Sequence, residues 1–364
     1  MYRLLCLLLI QFVGFCFSQT NAAEKNVEKM AWKNVVRRMP AEWYGTKQAL
    51  AIADQLIARQ MDNGGWQKNI PYHRLLSEKK LAEVRRSGVG STIDNGATTL
   101  EMLYLAKVYG FSKEQKYKDS FLKAFQYLLD AQYDNGGWPQ FFPPRKNVGY
   151  SSHITYNDDA YINVMWMLRD IYENKKPYNA LNLSESVKDE ARKAFNKGID
   201  CILKTQIKVD GHPTVWCAQH DENTFEPAAA RAYELPSFSG AESVGIVRLL
   251  MSLPNPSQEV ISAVKGAVDW FEKHEVKNMK VDRFEVGEKK FDAHTVPAEG
   301  AVMWARFYDL DTEKPFFCDR DGVKKDKLEE IGRERRGGYS WYTTSPQGIL
   351  DEYPEWLAKV EKAK

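Results

Sequence analysis

Three acidic positions recur at equivalent places along the chain, each where a stretch rich in Ser, Thr or Asn leads into an apolar helical pattern. They are Asp94 with Asn95, Asp158 with Asp159, and Glu242. A single acid at such a place is an ordinary helix cap, worth about 1 kcal/mol. Recurrence beside amide and small side chains instead favours a shared site built from oxygen ligands. Ca²⁺ prefers carboxylate, amide and water oxygens, so the pattern predicts a Ca²⁺ site where these helix starts converge.

Several cations lie in turn-rich segments of the same chain. Arg231 follows three alanines and precedes a fourth, so its guanidinium has few local competitors. Three further cations lie in segments rich in Trp or Asp: Lys68, Arg306 and Arg320. Isolated cations of this kind are usually surface residues or ion-pair partners. Together with a row of acids, they indicate a pocket for an anionic polymer and a bridging cation.

Two loops share the sequence DNGGW and end in Trp66 and Trp138. The Asn-Gly-Gly part supplies the positive φ that ends a helix, so each Trp could simply fill the space between helical hairpins. Alternatively, the two rings stack on sugars in a binding groove. Both interpretations are open from the sequence alone, and we expect the two rings to contribute to substrate binding.

A repeated unit must position these groups. Gln60, Gln132 and Gln206 end apolar-periodic stretches, are separated by 72 and 74 residues, and precede turn-rich loops that contain Trp. A second apolar i, i+3, i+4 pattern follows each loop. Helix, Gly-rich loop and helix therefore alternate, which predicts a ring of helical hairpins. Short extended pieces in the last quarter add a small irregular β portion to a mainly α protein.

Composition excludes several classes of protein. The chain has 364 residues, of which 43% are hydrophobic, so it has enough apolar surface for a core and is neither disordered nor collagen-like. With 51 basic and 49 acidic side chains, its net charge is only +2. This charge gives no global field of the kind that drives non-specific nucleic-acid binding. We expect no nucleic-acid partner.

The N-terminus has the order of a secretory signal. Arg3 precedes an apolar run from Leu4 to about Phe17, and small or polar residues follow to Ala23. The run is too short to span a bilayer comfortably. We therefore predict a signal peptide over residues 1–23 and a secreted or periplasmic monomer that has no membrane contact after cleavage.

Six motifs occur in one order: NGGWQKNIP, STIDNGATT, NGGWPQFFP, ITYNDDAYINV, PAAARAYELPSFSGAES and FCDRDG. With them the chain resembles the pectate lyases of polysaccharide lyase family 10, from about Trp43 to Trp341. Several long motifs in the right order make this a specific match. The resemblance implies one catalytic domain over residues 24–364. It also implies a mainly α fold, a partial (α/α)₃ toroid, with an open substrate groove.

The resemblance also implies roles for individual residues. Arg231 matches the catalytic base. Asp94 in IDN and Asp158 in YNDD match the Ca²⁺-linked acids, and Asp159 competes with Asp158 because the match could slip by one position. Two arginines match those that hold the substrate carboxylates: Arg306 and Arg320.

Elimination chemistry agrees with this set of residues. Cleavage of α-1,4-linked polygalacturonate removes the C5 proton, α to the carboxylate, and then expels the C4 oxygen. The difficult species is a dianionic, enolate-like intermediate, which Ca²⁺ and arginine donors would stabilise. An arginine base starts from a pKa of about 12.5 or higher. We therefore expect Ca²⁺ and flanking cations to destabilise the charged guanidinium of Arg231.

Two other functions are compatible with the sequence. An inverting glycoside hydrolase would use Asp94 and Asp158 as acid and base, with the metal dispensable. A secreted carbohydrate-binding protein would use its Trp residues without cleaving any bond. Sensitivity to a chelator separates the lyase from the hydrolase, and the absence of cleavage would leave only binding.

Overall fold

The structure is a computed structural model that describes residues 27–84, 90–288 and 290–362. The predicted signal peptide, residues 1–23, lies outside these ranges. The chain divides into two compact units, each built from separated segments. One contains the chain up to Ser91 with Ala97–Tyr127 and Asn174–Ser184, and the other contains Thr92–Gly96, Leu128–Glu173 and the chain from Glu185 onward.

The first unit is helical. Its helices are α1 (Trp32–Arg38), α2 (Lys47–Ala58), α3 (Glu78–Val84), α4 (Thr99–Ser112) and the beginning of α5 (Gln115–Ala131). Thr46 caps α2, because its side chain accepts a hydrogen bond from the amide of Ala49 at 3.3 Å. Trp43, Tyr44 and Tyr104 pack edge to face, with ring centroids between 5.4 and 6.4 Å apart. This aromatic group forms part of the core of the unit.

The second unit combines helices with strands. Its helices are α6 (Ala160–Tyr172), α7 (Glu185–Thr205), α8 (Glu242–Met251), α9 (Gln258–Lys273), α10 (Arg333–Gly338) and α11 (Pro346–Lys362). Helices α6 and α7 approach closely at Gly198, where an added Cβ would lie 2.4 Å from the sulfur of Met165. A larger residue at this position would therefore force the Met165 side chain to move.

The repeat of glutamines seen in the sequence has one structural meaning. Each side chain donates to two backbone carbonyls, one in the loop that follows it and one on a helix further along the chain. The acceptors are Gly64 and Ser120 for Gln60, Gly136 and Ala194 for Gln132, and Thr214 and Ala263 for Gln206, all at 2.7 to 3.0 Å. The predicted unit of helix, loop and helix is thus held by the same pair of hydrogen bonds at all three places.

A long antiparallel hairpin overturns the predicted fold class. It consists of β6 (Val276–Gly287), with 12 residues, and β7 (Lys290–Ala305), with 16 residues. Of the described residues, 49% are helical and 16% lie in strands. The prediction of a mainly α fold, a partial (α/α)₃ toroid with a small irregular β portion, was therefore wrong. The chain mixes helices with antiparallel sheet.

The physical reason lies at two turn-like residues inside the strands. Asn278 has φ 57° and Gly300 has φ 74°, and the register shifts next to Asn278. The amide of Gly300 donates to the Asn278 side chain at 2.9 Å. These residues form an irregularity within a continuous ladder, although in the sequence they look like breaks between short strands.

Short strand pairs complete the second unit. They are β1 (Ile154–Thr155) with β4 (Gln219–His220), β2 (Lys208–Val209) with β3 (His212–Pro213), β5 (Phe238–Ser239) with β8 (Phe307–Tyr308), β9 (Phe317–Cys318) with β10 (Lys324–Lys325), and β11 (Tyr342–Thr343) with β7. All of these pairs are antiparallel. Of the helices that the structure describes, none has the length and hydropathy needed to cross a membrane.

Candidate active site

Two one-turn 3₁₀ helices, Asp94–Gly96 and Asn157–Asp159, carry the predicted metal ligands and contact each other. The N-terminal end of α8, which begins at Glu242, also contacts the second of these turns. Left-handed backbone recurs in both turns: Asn95 (φ 55°), Asp158 (φ 52°) and Asp159 (φ 57°). Asn and Asp tolerate this conformation better than other side chains. The structure thus brings the three predicted acidic positions, here called the acid cluster, together within the second unit.

Asp94 is held in place by hydrogen bonds at its side chain and its backbone. It is buried, and its Oδ2 accepts a hydrogen bond from Gln140 Nε2 at 3.0 Å. Its backbone amide donates to the hydroxyl of Thr92, also at 3.0 Å. The neighbouring Asn95 is exposed. Gln140 belongs to the NGGWPQFFP motif, so one predicted motif orients the acid of another.

Arg306 connects two acids of the cluster, Asp158 and Glu242. The residue is only 7% exposed. Its Nη2 donates to Asn157 Oδ1 at 2.9 Å, to Asp158 Oδ1 at 3.2 Å, and to Glu242. Burial disfavours its charge, but Glu242 and its other anionic neighbours outweigh burial and raise the pKa of Arg306. The sequence predicted that Arg306 binds the substrate carboxylate. In the structure its Nη2 instead donates to carboxylates of the protein itself.

Negative charge exceeds positive charge in this cluster. Partial burial of the Asp159 carboxyl group raises its pKa, and the neighbouring carboxylates of Glu242 and Asp158 raise it further. The backbone of α8 approaches it closely, since a Cβ added at Gly245 would lie 2.5 Å from Asp159 Oδ1. Clustered carboxylate and amide oxygens with surplus negative charge are a donor set that fits Ca²⁺.

The three aspartates do not form a closed cage by themselves. Across residues 27–84, 90–288 and 290–362, a single group of three His, Cys, Asp or Glu residues has ligand atoms that all lie within 4.8 Å of one another. That group is His153, Asp221 and Glu222, at a different place in the second unit. A cation in the acid cluster therefore needs further oxygen ligands.

Arg231 lies in a turn after β4 and forms an ion pair there. Its Nε donates to Glu234 Oε2 at 2.8 Å, and Glu234 also accepts from the hydroxyl of Tyr339 at 2.9 Å. The side chain of Arg231 is 45% exposed, whereas that of Glu234 is 6% exposed. The hydrogen bond that Arg231 donates to Glu234 raises the pKa of Arg231. This direction is opposite to the depression that we expected for a base.

Two tyrosine rings organise the arginines into what we call the arginine cluster. The guanidinium carbons of Arg231, Arg335 and Arg320 lie 4.7, 4.7 and 6.0 Å from the ring centroid of Tyr233. That of Arg306 lies 4.6 Å from the ring centroid of Tyr339. Such cation–π contacts place several positive charges side by side.

Members of the arginine cluster differ in accessibility. Arg320 is 65% exposed in its side chain, and its Nη2 lies 3.1 Å from Glu334 Oε1. Arg335 is buried and also pairs with Glu334. Arg335 was not predicted from the sequence, although the basic run RERRGG was its signal. Glu234 was not predicted either, because no local pattern marks it.

The two predicted sugar-stacking residues, Trp66 and Trp138, are completely buried. Their indole nitrogens donate to the carbonyls of Leu56 and Leu128 at 2.9 and 2.8 Å. Neither ring presents a face to a sugar, so the stacking interpretation does not fit and the space-filling one does. Lys68 is half-buried and belongs to the first unit.

The sequence and fold of the chain are similar to those of known proteins. The chain matches the family model of pectic acid lyases over residues 60–350. A point mutant of a family 10 polysaccharide lyase from Cellvibrio cellulosa, solved with trigalacturonic acid, is 36% identical and has a TM-score of 0.75; the match covers 86% of this chain and 95% of that one. A second structure of the Cellvibrio cellulosa family 10 lyase is 35% identical with a TM-score of 0.75, covering 89% and 94%. No curated protein matches. The chain therefore belongs to the pectic acid lyase family, as a pectate lyase of polysaccharide lyase family 10.

Proposed function

We propose that this pectate lyase cleaves α-1,4-linked polygalacturonate by Ca²⁺-assisted β-elimination and releases 4,5-unsaturated oligogalacturonides. One observation carries the proposal: a continuous chain of contacts joins the acid cluster to Arg231. Arg306 pairs with Asp158 and lies over Tyr339, and the hydroxyl of Tyr339 reaches Glu234, the partner of Arg231. Acids for a cation and arginines for a uronate carboxylate are thus neighbours. The trigalacturonic acid bound to the Cellvibrio relative supports the substrate class.

The oxygens proposed to hold Ca²⁺ belong to Asp94, Asn95, Asp158 and Asp159. Bound there, Ca²⁺ would neutralise the substrate carboxylate and favour the build-up of enolate-like charge after C5 deprotonation. The raised pKa of Asp159 supports this assignment, because a site with surplus negative charge gains most from a divalent cation. Arg306 offsets only part of that charge, and it holds Asp158 in a fixed orientation.

Arg231 is proposed as the base that takes the C5 proton. Its ion pair with Glu234 favours the protonated guanidinium. This pair must therefore open and the guanidinium must lose a proton to solvent before the neutral guanidine can accept the C5 proton. The side chain is nearly half exposed, and Glu234 keeps its hydrogen bond from Tyr339 when Arg231 leaves. Arg320, exposed beside the same tyrosine ring as Arg231, is proposed to hold a uronate carboxylate.

We also propose that residues 1–23 direct export, that residues 24–364 act as a secreted or periplasmic enzyme, and that this enzyme is a monomer. The polymeric substrate supports an extracytoplasmic location, because a long polyanion does not cross a membrane unaided. Sequencing the N-terminus of the protein recovered from the culture medium or periplasm tests the cleavage at Ala23.

The deciding experiment incubates the mature chain with polygalacturonate, with Ca²⁺ in one sample and a chelator in the other. Ultraviolet absorbance reports the conjugated C4–C5 double bond, and a separate assay counts reducing ends. Elimination predicts that both signals rise together with Ca²⁺ and that the chelator abolishes both. Reducing ends without absorbance would mean hydrolysis and would overturn the proposal.

A further inference from the structure

His153, Asp221 and Glu222 form a second donor group, which the proposed elimination does not use. Their ligand atoms all lie within 4.8 Å of one another, and His153 Nδ1 is 3.0 Å from Glu222 Oε2. The three side chains are partly buried, with exposures of 20% for His153 and 23% for Glu222. We propose that this triad binds a first-row divalent metal ion, with Zn²⁺ as the ion of choice.

The fold explains why these three residues meet. Strand β1 pairs antiparallel with β4, and Ile154 lies opposite His220. In an antiparallel pair, the residue before one strand faces the residue after the other. His153 precedes Ile154 and Asp221 follows His220, so the ladder itself places an imidazole across from a carboxylate.

Both flanks of the triad are anchored. The side-chain amide of Asn135 donates to the backbone carbonyl of Glu222 at 2.7 Å. The hydroxyl of Tyr133 donates to the carbonyl of Ser152, next to His153, at 2.7 Å. The backbone that carries the donors is therefore held before any ion binds, which lowers the ordering cost of binding.

The charges of the triad suit a divalent cation. Backbone amides of Thr224 and Asn223 donate to Asp221 Oδ1 at 2.8 and 2.9 Å and fix the orientation of its carboxylate. Glu222 is held in turn by its contact with His153. Two carboxylates therefore face one imidazole, and their negative charges suit a divalent cation.

The donor types select the class of metal. Ca²⁺ takes oxygen ligands, whereas an imidazole with carboxylates suits Zn²⁺ and similar ions. Three protein donors leave room for water as a further ligand. The ion would connect two segments, because β1 leads into the turn that carries Asp158 and the chain after Glu222 leads to Arg231. We infer a stabilising site rather than a catalytic one.

Isothermal titration tests this proposal with full-length mature protein that has been stripped by a chelator and dialysed. ZnCl₂ is added in excess Ca²⁺, which occupies sites built only from oxygen. We expect one equivalent of Zn²⁺ to bind to wild type, and His153→Gln and Glu222→Gln to weaken binding at least ~10-fold. The matched control is His212→Gln, an exposed histidine outside the triad, which should bind like wild type.

Thermal unfolding supplies a second measurement. Zn²⁺ should raise the unfolding midpoint of wild type and His212→Gln, but not that of Glu222→Gln, whose amide still accepts the hydrogen bond from His153. Circular dichroism establishes that each variant is folded. Substoichiometric binding, equal Zn²⁺ affinity in all variants, or displacement of Zn²⁺ from the triad by Ca²⁺ would each overturn the proposal.

Discussion

The DNGGW loops and the candidate active site are both rich in residues that attract functional interpretation, but they are held in different ways. In the loops, neutral side chains donate to backbone carbonyls: Trp138 to Leu128, and Gln132 to Gly136 and Ala194. In the active site, Arg306 and the acid cluster are held by charge. The repeated Trp residues therefore belong to the framework, and the proposed chemistry lies with the charged groups.

Removing the buried charge of Arg306 should have the largest effect on stability. Arg306→Leu leaves Glu242 and Asp158 without their shared donor, and breaking such a buried pair costs about 3–5 kcal/mol. We expect this loss in the free energy of urea unfolding, together with loss of lyase activity. Arg320→Leu is the control, because this exposed arginine should change stability by less than about 0.5 kcal/mol. Equal stability losses in the two variants would remove the distinction between them.

Trp138→Phe tests the structural role of the DNGGW loops. The variant keeps an aromatic ring but leaves the buried Leu128 carbonyl without its donor, which should cost about 1–3 kcal/mol. KM for trigalacturonate should stay within about twofold of wild type, because a buried ring contributes no direct binding energy. Trp356→Phe, on the half-buried face of α11, is the control for stability. A large rise in KM with unchanged stability would indicate instead that the Trp138 ring stacks on the substrate.

Asp159→Asn should have the smallest effect on the free energy of unfolding, and this effect depends on pH and on Ca²⁺. The pKa of its carboxyl group is raised in the folded state above the ordinary value of 3.8, so ionisation destabilises the fold. The penalty is absent below the unfolded-state pKa and grows as pH rises through the folded-state pKa. Asp159→Asn should therefore stabilise chelator-treated protein at neutral pH, by about 1 kcal/mol at most since the group is partly exposed.

Urea unfolding over a pH series, with and without Ca²⁺, measures this difference. Added Ca²⁺ should stabilise wild type more than Asp159→Asn, because the amide lacks the charge that the cation compensates. An identical pH dependence in the two proteins would contradict the assignment of Asp159 to the acid cluster.

Much of the candidate active site was predictable because its acids are local features. Asp94, Asp158 and Glu242 each occupy a helix start, and the repeat made their convergence visible in the sequence. The arginine side was less predictable, because it depends on packing between distant segments: Arg306 and Asp158 are 148 residues apart. Glu234 has no sequence pattern at all, yet it sets the direction of the pKa shift at Arg231.

The prediction of the fold class was wrong for a similar reason. A glycine and an asparagine inside a strand pair, Gly300 and Asn278, look like turns when only neighbours in sequence are considered. Burial of Trp138 also depends on a residue distant in sequence, since Tyr161 on α6 packs edge-on against it with ring centroids 5.0 Å apart. Local patterns therefore identified the repeat and the acids, but not the hairpin or the environment of the aromatic residues.

The most direct test of the proposed mechanism compares Arg231→Lys with Arg320→Lys on polygalacturonate in the presence of Ca²⁺. If Arg231 is the base, Arg231→Lys should lose turnover by roughly 10²–10⁴-fold while unfolding at nearly the wild-type urea concentration. Arg320→Lys should mainly raise KM. Near wild-type turnover in Arg231→Lys would contradict the mechanism and assign proton abstraction to another group.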